Sequence, residues 1–359
     1  MAGPAVEDGG REQSVVSDGS RPTITDVALL AGVSKSAVSK VYNGRGGISD
    51  QTRVRIHSAA EKLGWSPSAT AAALTSARTR TIGLVINRSP DLLSVDPYFA
   101  ELITGIECVL APRDYGLFLQ LIGARGQGET ETYQRLARER RVDGFLLTEN
   151  RVGDGRYEMV EHLGVPAVTI GRPWSDCSIP YLPAEDEQGI VAAVEHLIGL
   201  GHQRIAYLAG PNDLAHTLFR REAFERALDS MQIAPAAIRS TEFTAAASAD
   251  TTGQLLDQSH PPTAVVYAND TMAISGMSLA QRRGLSVPGD LSVLGHDDLP
   301  LSEWTYPQLT TIQQDVQQLG AAAAAQLLEL VGEDVQEAPQ VAPPRLIVRD
   351  STGPASRAF

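Results

Sequence analysis

The chain has 359 residues, a formal net charge of −13 and 43% apolar residues, with only two cysteines. No stretch approaches the roughly 18 consecutive apolar residues that a membrane span needs, and two cysteines without CxxC spacing argue against a disulfide scaffold or zinc site. Cys108 and Cys177 read as reduced, partly buried thiols of a cytoplasmic protein, and the seven histidines form no H-x-x-x-H or H-E-x-x-H pair, so neither metal nor cofactor is expected.

Residues 1–20 are polar, Gly-rich and acidic, lack the apolar run of a signal peptide, and read as a disordered tail. Residues 21–66 change character. DVALLAG and SKSAVSKVYN meet at Ala31-Gly32-Val33, the spacing of a helix-turn-helix whose second helix can enter a DNA major groove. Val27, Ala28 and Ala31 give the first helix its apolar face, and Gly32 can take the positive φ of a tight turn. Val33, Val38 and Val41 point back at the first helix, leaving Lys35, Ser36, Ser39 and Lys40 outward, with Ser34 as N-cap. A third helix is predicted after the cap Ser49, with Val54, Ile56, Ala59, Ala60 and Leu63 on its buried side and Gly64 ending it. From Arg21 to Arg80, nine Lys/Arg face three Asp/Glu, a local +6 on a chain whose remainder carries −19. A basic run alone is usually solvated surface; joined to a helix-turn-helix it suits a grip on phosphates. Residues 67–78 read as a linker.

The stretch 79–350 alternates β and α throughout. Strands are predicted at 81–87, 117–122, 145–148 and 167–170, with helices over Phe99–Leu110 and Glu129–Arg140. The pattern then restarts: helix Gln188–Leu200, strand 204–210, helix Phe219–Met231, strand 264–269, helix Thr271–Arg283, strand 291–298. Two successive sets of parallel units imply an α/β body of two doubly wound lobes, with ligands bound beyond the carboxyl ends of the strands. Polar strand-end residues are the candidates there: Arg172 after AVTIG, Asn269 and Asp270 after AVVYA, Asp297 and Asp298 after LSVLGH, with Arg220 in FRREAF. Residues 351–359 read as a tail without heptads, so a terminal coiled coil is not expected.

Thr23 to Leu74 resembles the headpiece of the LacI/GalR family of bacterial transcription regulators. The matching residues run T-x-x-D-V-A-x-x-A-G-V-S-x-x-x-V-S-x-V-x-N, then I-S-x-x-T-R-x-R-I, then L-G-W-x-P. The resemblance implies that Lys35, Ser36 and Lys40 read base edges while Thr23, Ser34, Ser39, Asn43, Ser49 and Thr52 hold phosphates. It also implies a hinge helix whose Leu74, beside Ala71, wedges into the minor groove. Two departures stand out. Lys40 replaces an arginine frequent in the family and loses its bidentate fork. The hinge reads PSATAAAL, without the family's asparagine and arginine.

The body, including EHLIGLGHQRIAYLAGP and PQLTTIQQD, resembles the family's periplasmic-binding-protein-like effector domain. That implies effector contacts from Arg220, Asn269 and Asp297, with rings from Tyr98, Phe99 and Phe243 stacking on the ligand. Each residue has a structural alternative. Asp270 or Asp298 could cap a helix, Arg220 could pair with Glu222 or Glu225, and Tyr98 and Phe99 could pack a helix start. An enzyme is disfavoured, since no G-x-G-x-x-G, P-loop or G-x-S-x-G follows a strand. A secreted sugar-binding protein of the same body would not carry the headpiece. The sequence therefore predicts a cytoplasmic, homodimeric, operator-binding regulator, a repressor of carbohydrate-use genes controlled by a sugar in the cleft. A purine or nucleoside corepressor is the alternative effector.

Overall fold

The computed structural model describes residues 21–42, 46–67, 78–88, 97–123, 128–183, 186–337 and 339–356. The chain divides into two compact units, one ending at Arg78 and one beginning at Thr79. Asn43, Ala71 and Leu74, and the tail expected over 1–20, lie outside the described residues.

The first unit holds α1 (Ile24–Ala31), α2 (Lys35–Tyr42) and α3 (Asp50–Leu63). Thr23 caps α1 with Asp26, whose carboxylate accepts from the Thr23 amide and hydroxyl, both at 2.8 Å. Gly32 ends α1 at φ +62°, the left-handed conformation the turn requires. Val27, Val38 and Ile56, all fully buried, bring one residue from each helix to a common seam. Tyr42 meets Trp65 edge-on at 5.1 Å, so the tryptophan after α3 closes the far side of that core. One expected core residue is misplaced: Val54 is 67% exposed. Ile56, Ala59 and Ala60 repeat at three- and four-residue spacing, and two residues back from Ile56 is about 200° around the helix, on the opposite face.

The second unit has two lobes. The first sheet has strand order β2-β1-β3-β4-β5, from β1 (Thr81–Ile86), β2 (Gly116–Leu121), β3 (Gly144–Leu147), β4 (Ala167–Ile170) and β5 (Tyr181–Leu182). Around it lie α4 (Pro97–Leu110), α5 (Glu129–Arg138) and α6 (Arg156–Leu163). The second sheet runs β11-β10-β9-β8-β6-β7. Its elements are α7 (Asp186–Gly199), β6 (Ile205–Ala209), α8 (Ala215–Ser230), β7 (Ala237–Ser240), α9 (Ala245–Leu256), β8 (Ala264–Tyr267), α10 (Asp270–Arg282), β9 (Ser292–Asp297), β10 (Thr310–Gln313) and β11 (Arg345–Ile347). Within the two sheets, all described strand pairings are parallel except β11 on β10. The central strands are apolar without alternation, as sheets covered by helices on both faces require; Ile82, Leu84, Val85 and Ile86 are all fully buried.

The lobes are not two successive halves of the chain. The helix α11 (Val316–Leu330) leaves β10 of the second lobe and packs in the first, where Leu319, Ala323 and Leu327 join Ile82, Leu102 and Ile106. The chain then returns to add β11 to the second sheet. Three crossings thus connect the lobes: β5 to α7, β10 to α11 and α11 to β11. The α4–α11 contact is backbone-close. A Cβ on Gly105 would stand 1.9 Å from the Gln317 carbonyl oxygen, and one on Gly320 2.4 Å from that of Leu102.

Other differences from the sequence reading are local. Helix α8 begins at Ala215 rather than Phe219, and β5, α6, β7, α9, β10, α11 and β11 lie outside the predicted elements. Cys108 is exposed rather than partly buried. Residues 351–356 do not leave as a tail: Ser351 is fully buried, accepts from the Thr310 amide and donates to the Val293 carbonyl. Among the described residues no helix is long and apolar enough to cross a membrane, and no group of three His, Cys, Asp or Glu could hold a metal.

Candidate functional site

On the headpiece, Lys35, Ser36 and Lys40 are exposed on α2, the face left over once Val38 and Val41 turn inward. Ser34 caps α2, its Oγ accepting from the Ala37 amide at 3.2 Å. Ser49 caps α3, its Oγ accepting from the Thr52 amide at 3.3 Å and lying 2.9 Å from the Thr52 hydroxyl. A capping hydroxyl accepts through a lone pair and can still donate outward, and first-turn amides favour anions. Thr23 and Ser39 complete the predicted phosphate set within the described residues; Thr23 is already engaged by Asp26.

In the body, Tyr98, Phe99, Arg172, Arg220, Phe243, Asn269 and Asp297 line one cleft enclosing about 930 Å³, its open mouth included. Strand ends from both sheets converge there. Asn269 caps α10, its Oδ1 accepting from the Met272 amide at 2.9 Å, which leaves the amide NH2 as a donor. The cap is therefore Asn269 and not the neighbouring Asp270, whose carboxylate is fully buried. Asp270 accepts from the Leu299 amide at 2.8 Å and from the Ser302 and Thr311 hydroxyls at 2.7 and 2.5 Å. Burial pushes its pKa up to about 7, against the pull of those three hydrogen bonds. Asp298 is not a cap either: it ion-pairs with Arg349 at 2.7 Å.

Arg220 is buried on α8 and donates to the Ala268 carbonyl at 3.2 Å, while Glu225 pairs with Arg221 and Glu222 with Arg226. Asp297 ends β9 at φ +106°, a conformation strained for a side-chain-bearing residue, and accepts from Gln314 on the β10–α11 crossing. The ring of Phe243 lies over Gly210, where a Cβ would come within 2.1 Å of it. Only glycine leaves room for the ring there.

Several cleft residues escaped the sequence reading: Arg88, Thr148, Glu149, Asn150, Glu187, His216, Phe219 and Gln314. Arg88 and the run Thr148 to Asn150 follow β1 and β3, so the strand-end rule applied elsewhere would have found them. His216 and Phe219 lie in the first turns of α8, which starts four residues before the predicted Phe219. His216 stacks on Phe243 at 6.0 Å. Burial, with Arg220 and Arg88 nearby, holds its pKa well below the usual histidine range, so the ring is neutral.

The lobes touch across this cleft. Arg88 from the first lobe lies over Phe243 of the second at 5.0 Å, and Arg172 over Phe219 at 3.9 Å. Trp174 stacks on the same Phe219 at 5.2 Å. Backbone joins backbone as well: the Val152 amide donates to the Asp213 carbonyl at 2.9 Å, and the Ala215 amide to that of Asn150 at 2.8 Å.

Comparison with known proteins fits both halves. The profile of bacterial regulatory proteins of the lacI family matches residues 23–68, and that of the periplasmic binding protein-like domain matches residues 194–352. The HTH-type transcriptional repressor PurR of Vibrio atlanticus (strain LGP32) is 33% identical over 88% of this chain and 93% of its own. A transcriptional regulator CelR–cellobiose complex is 30% identical, with a TM-score of 0.69 over 92% of this chain and 100% of that one. The lac repressor dimer bound to operator and the anti-inducer ONPF is 28% identical, with a TM-score of 0.81 over 93% of this chain and 100% of that one. With a helix-turn-helix ahead of a two-lobed, cleft-bearing body and relatives that match over nearly the whole chain, the protein belongs to the LacI family and is a DNA-binding transcription regulator.

Proposed function

We propose that the protein is a homodimeric, cytoplasmic repressor of carbohydrate-use genes whose operator binding is set by a small sugar in the cleft. The observation that carries this reading is the cleft itself: guanidinium, carboxylate and amide groups of Arg220, Asp297 and Asn269 converge beside the rings of Phe243, Phe219 and Tyr98. Ionised partners make strong paired hydrogen bonds to vicinal hydroxyls, while flat apolar rings match the C–H faces of a pyranose. A relative solved with cellobiose supports the same ligand class.

In this reading Lys35, Ser36 and Lys40 contact base edges, and Ser34, Ser39, Ser49, Thr52 and Thr23 contact phosphates. Asn43, Ala71 and Leu74 are retained from the resemblance alone. Each subunit occupies one half-site of a near-palindromic operator. In the cleft, Asp297 is hydrogen-bonded to Gln314 on one of the three crossings. A sugar held by Asp297 therefore bears on a segment that must bend when the lobes move. If the sugar favours one lobe arrangement and operator the other, each weakens the other's binding through population shift.

The test is a thermal-shift screen of the full-length protein against neutral mono- and oligosaccharides, cellobiose included, and against nucleosides and purine bases. Hits are then added to operator gel-shift assays. Stabilisation by one sugar with altered operator affinity is expected. Stabilisation by a purine or nucleoside alone would replace the sugar, and stabilisation by nothing would overturn the effector reading.

A further inference from the structure

Arg88 and Glu149 form an ion pair in the cleft wall, their side chains 13% and 9% exposed. Arg88 follows β1 and Glu149 follows β3; the two strands are direct neighbours, so both side chains emerge at the same carboxyl edge. The Arg88 Nε donates to the Glu149 carboxylate, and the guanidinium also faces the Phe243 ring of the other lobe.

A buried network holds the pair. Arg156 donates at 3.0 Å to the carbonyls of both Thr148 and Glu149, which fixes Glu149 at φ +56°. Asp154 binds the Arg156 guanidinium at 2.6 Å, and Glu129, 3.5 Å from Arg156, accepts from Arg151 and from Asn87 just before Arg88. A left-handed glutamate kept in place by a buried arginine is strain with a structural cause. Arg88 is thereby met by a carboxylate on one side and an aromatic face on the other.

The described lining residues carry guanidiniums and carboxylates in equal number, Arg88, Arg172 and Arg220 with Glu149, Glu187 and Asp297. Arg172 is joined to Glu187 at 3.3 Å, a carboxylate that also holds Arg226 at 2.7 Å. We infer that Glu149 neutralises Arg88 so that the cleft accepts an uncharged ligand and rejects phosphorylated or carboxylate-bearing ones. This rests on the reading of the cleft as an effector site. An anion seeking Arg88 must displace Glu149 from the guanidinium and remain beside its negative charge, a juxtaposition that costs affinity steeply. A neutral polyol meets no such conflict, because a donor and an acceptor side by side suit a pair of adjacent hydroxyls.

The experiment uses the full-length protein at fixed ionic strength, with inorganic phosphate, a panel of hexose phosphates and a panel of sugar acids as probes, read by calorimetry. The wild type is expected to show no saturable anion binding that depends on Arg88. Glu149→Gln is expected to gain phosphate affinity by roughly 10- to 100-fold, and Arg88→Met/Glu149→Gln to lose that gain, which separates the cleft from the phosphate-binding headpiece. An equal response of wild type and Glu149→Gln, or a gain that survives in the double variant, overturns the inference. Should Glu149→Gln fail to fold by circular dichroism, the wild type still decides: saturable binding of any probe anion, abolished by Arg88→Met, overturns the inference and its absence upholds it. Anion binding by the wild type would leave the effector reading standing, whereas stabilisation by no neutral compound would strike that reading instead.

Discussion

Asp297 joins two properties that rarely meet in one residue: a backbone held at φ +106° and a carboxylate at the junction of cleft and crossing. Replacing it with asparagine keeps the shape and the tolerance of positive φ while removing the charge. Effector affinity is then expected to fall by about 10- to 150-fold, the worth of about 1.5–3 kcal/mol for a hydrogen bond to a charged group, with operator affinity of the free protein unchanged; calorimetry and gel shift read the two. Gly210→Ala acts on the same cleft from below. The new Cβ collides with the Phe243 ring, so the ring must leave its seat and effector affinity must fall without loss of any polar contact. Asp270 gives a pH signature. Its folded pKa of about 7 lies above the unfolded value near 4, so the native state holds the extra proton between those pH values. The carboxyl's contribution to stability is thus fully present below about pH 4 and is lost as pH rises toward 7. Melting temperature followed from pH 4 to 7 is expected to decline more steeply in the wild type than in Asp270→Asn. The strand-end rule made Asp297, Asn269 and Arg172 legible from sequence. It could not separate Asn269 as cap from Asp270 as buried anchor, because adjacent polar residues before a helix look alike until their partners are known.

At the level of elements, the helix pair α4 and α11 anchors the returning segment of the chain in the first lobe. Its Gly105 and Gly320 allow backbone-to-backbone contact that no larger residue permits. Gly320→Ala is expected to lower stability of the body by about 1–3 kcal/mol, the usual cost of overpacking, seen as a fall in thermal midpoint with the headpiece's own unfolding unaffected. If α11 were merely a surface helix, alanine would stabilise it, since alanine outranks glycine in helix propensity. Periodicity identified the headpiece helices because each has one buried stripe, as Val27, Ala28 and Ala31 do on α1. It failed at Val54, where one apolar residue on an exposed face mimicked the stripe. It also missed β7, whose AIRS sequence is short and only partly buried, and α9, where small and polar residues blur the period.

For the whole molecule, coupling between cleft and operator must be mutual. If a sugar weakens operator binding by some factor, saturating operator must weaken sugar binding by the same factor, with about 5- to 150-fold as the usual range. Titrating sugar into free and operator-bound protein checks it, and unequal factors would show that the two sites do not act through one equilibrium. The sequence by itself determined the helix-turn-helix, the basic headpiece on an acidic body, the α/β alternation and the strand ends that bring Arg172, Asn269 and Asp297 to the cleft. These depend on local spacing, on capping chemistry and on the plain sum of charges. Only the tertiary structure decided that α11 returns to the first lobe, that three crossings join the lobes, and that Arg88 and Glu149 neutralise each other at the cleft wall. Those facts arise from contacts between residues tens to hundreds of positions apart. Each such pairing is selected by burial and complementary charge in the folded state, and no local pattern along the chain encodes which partner will be chosen.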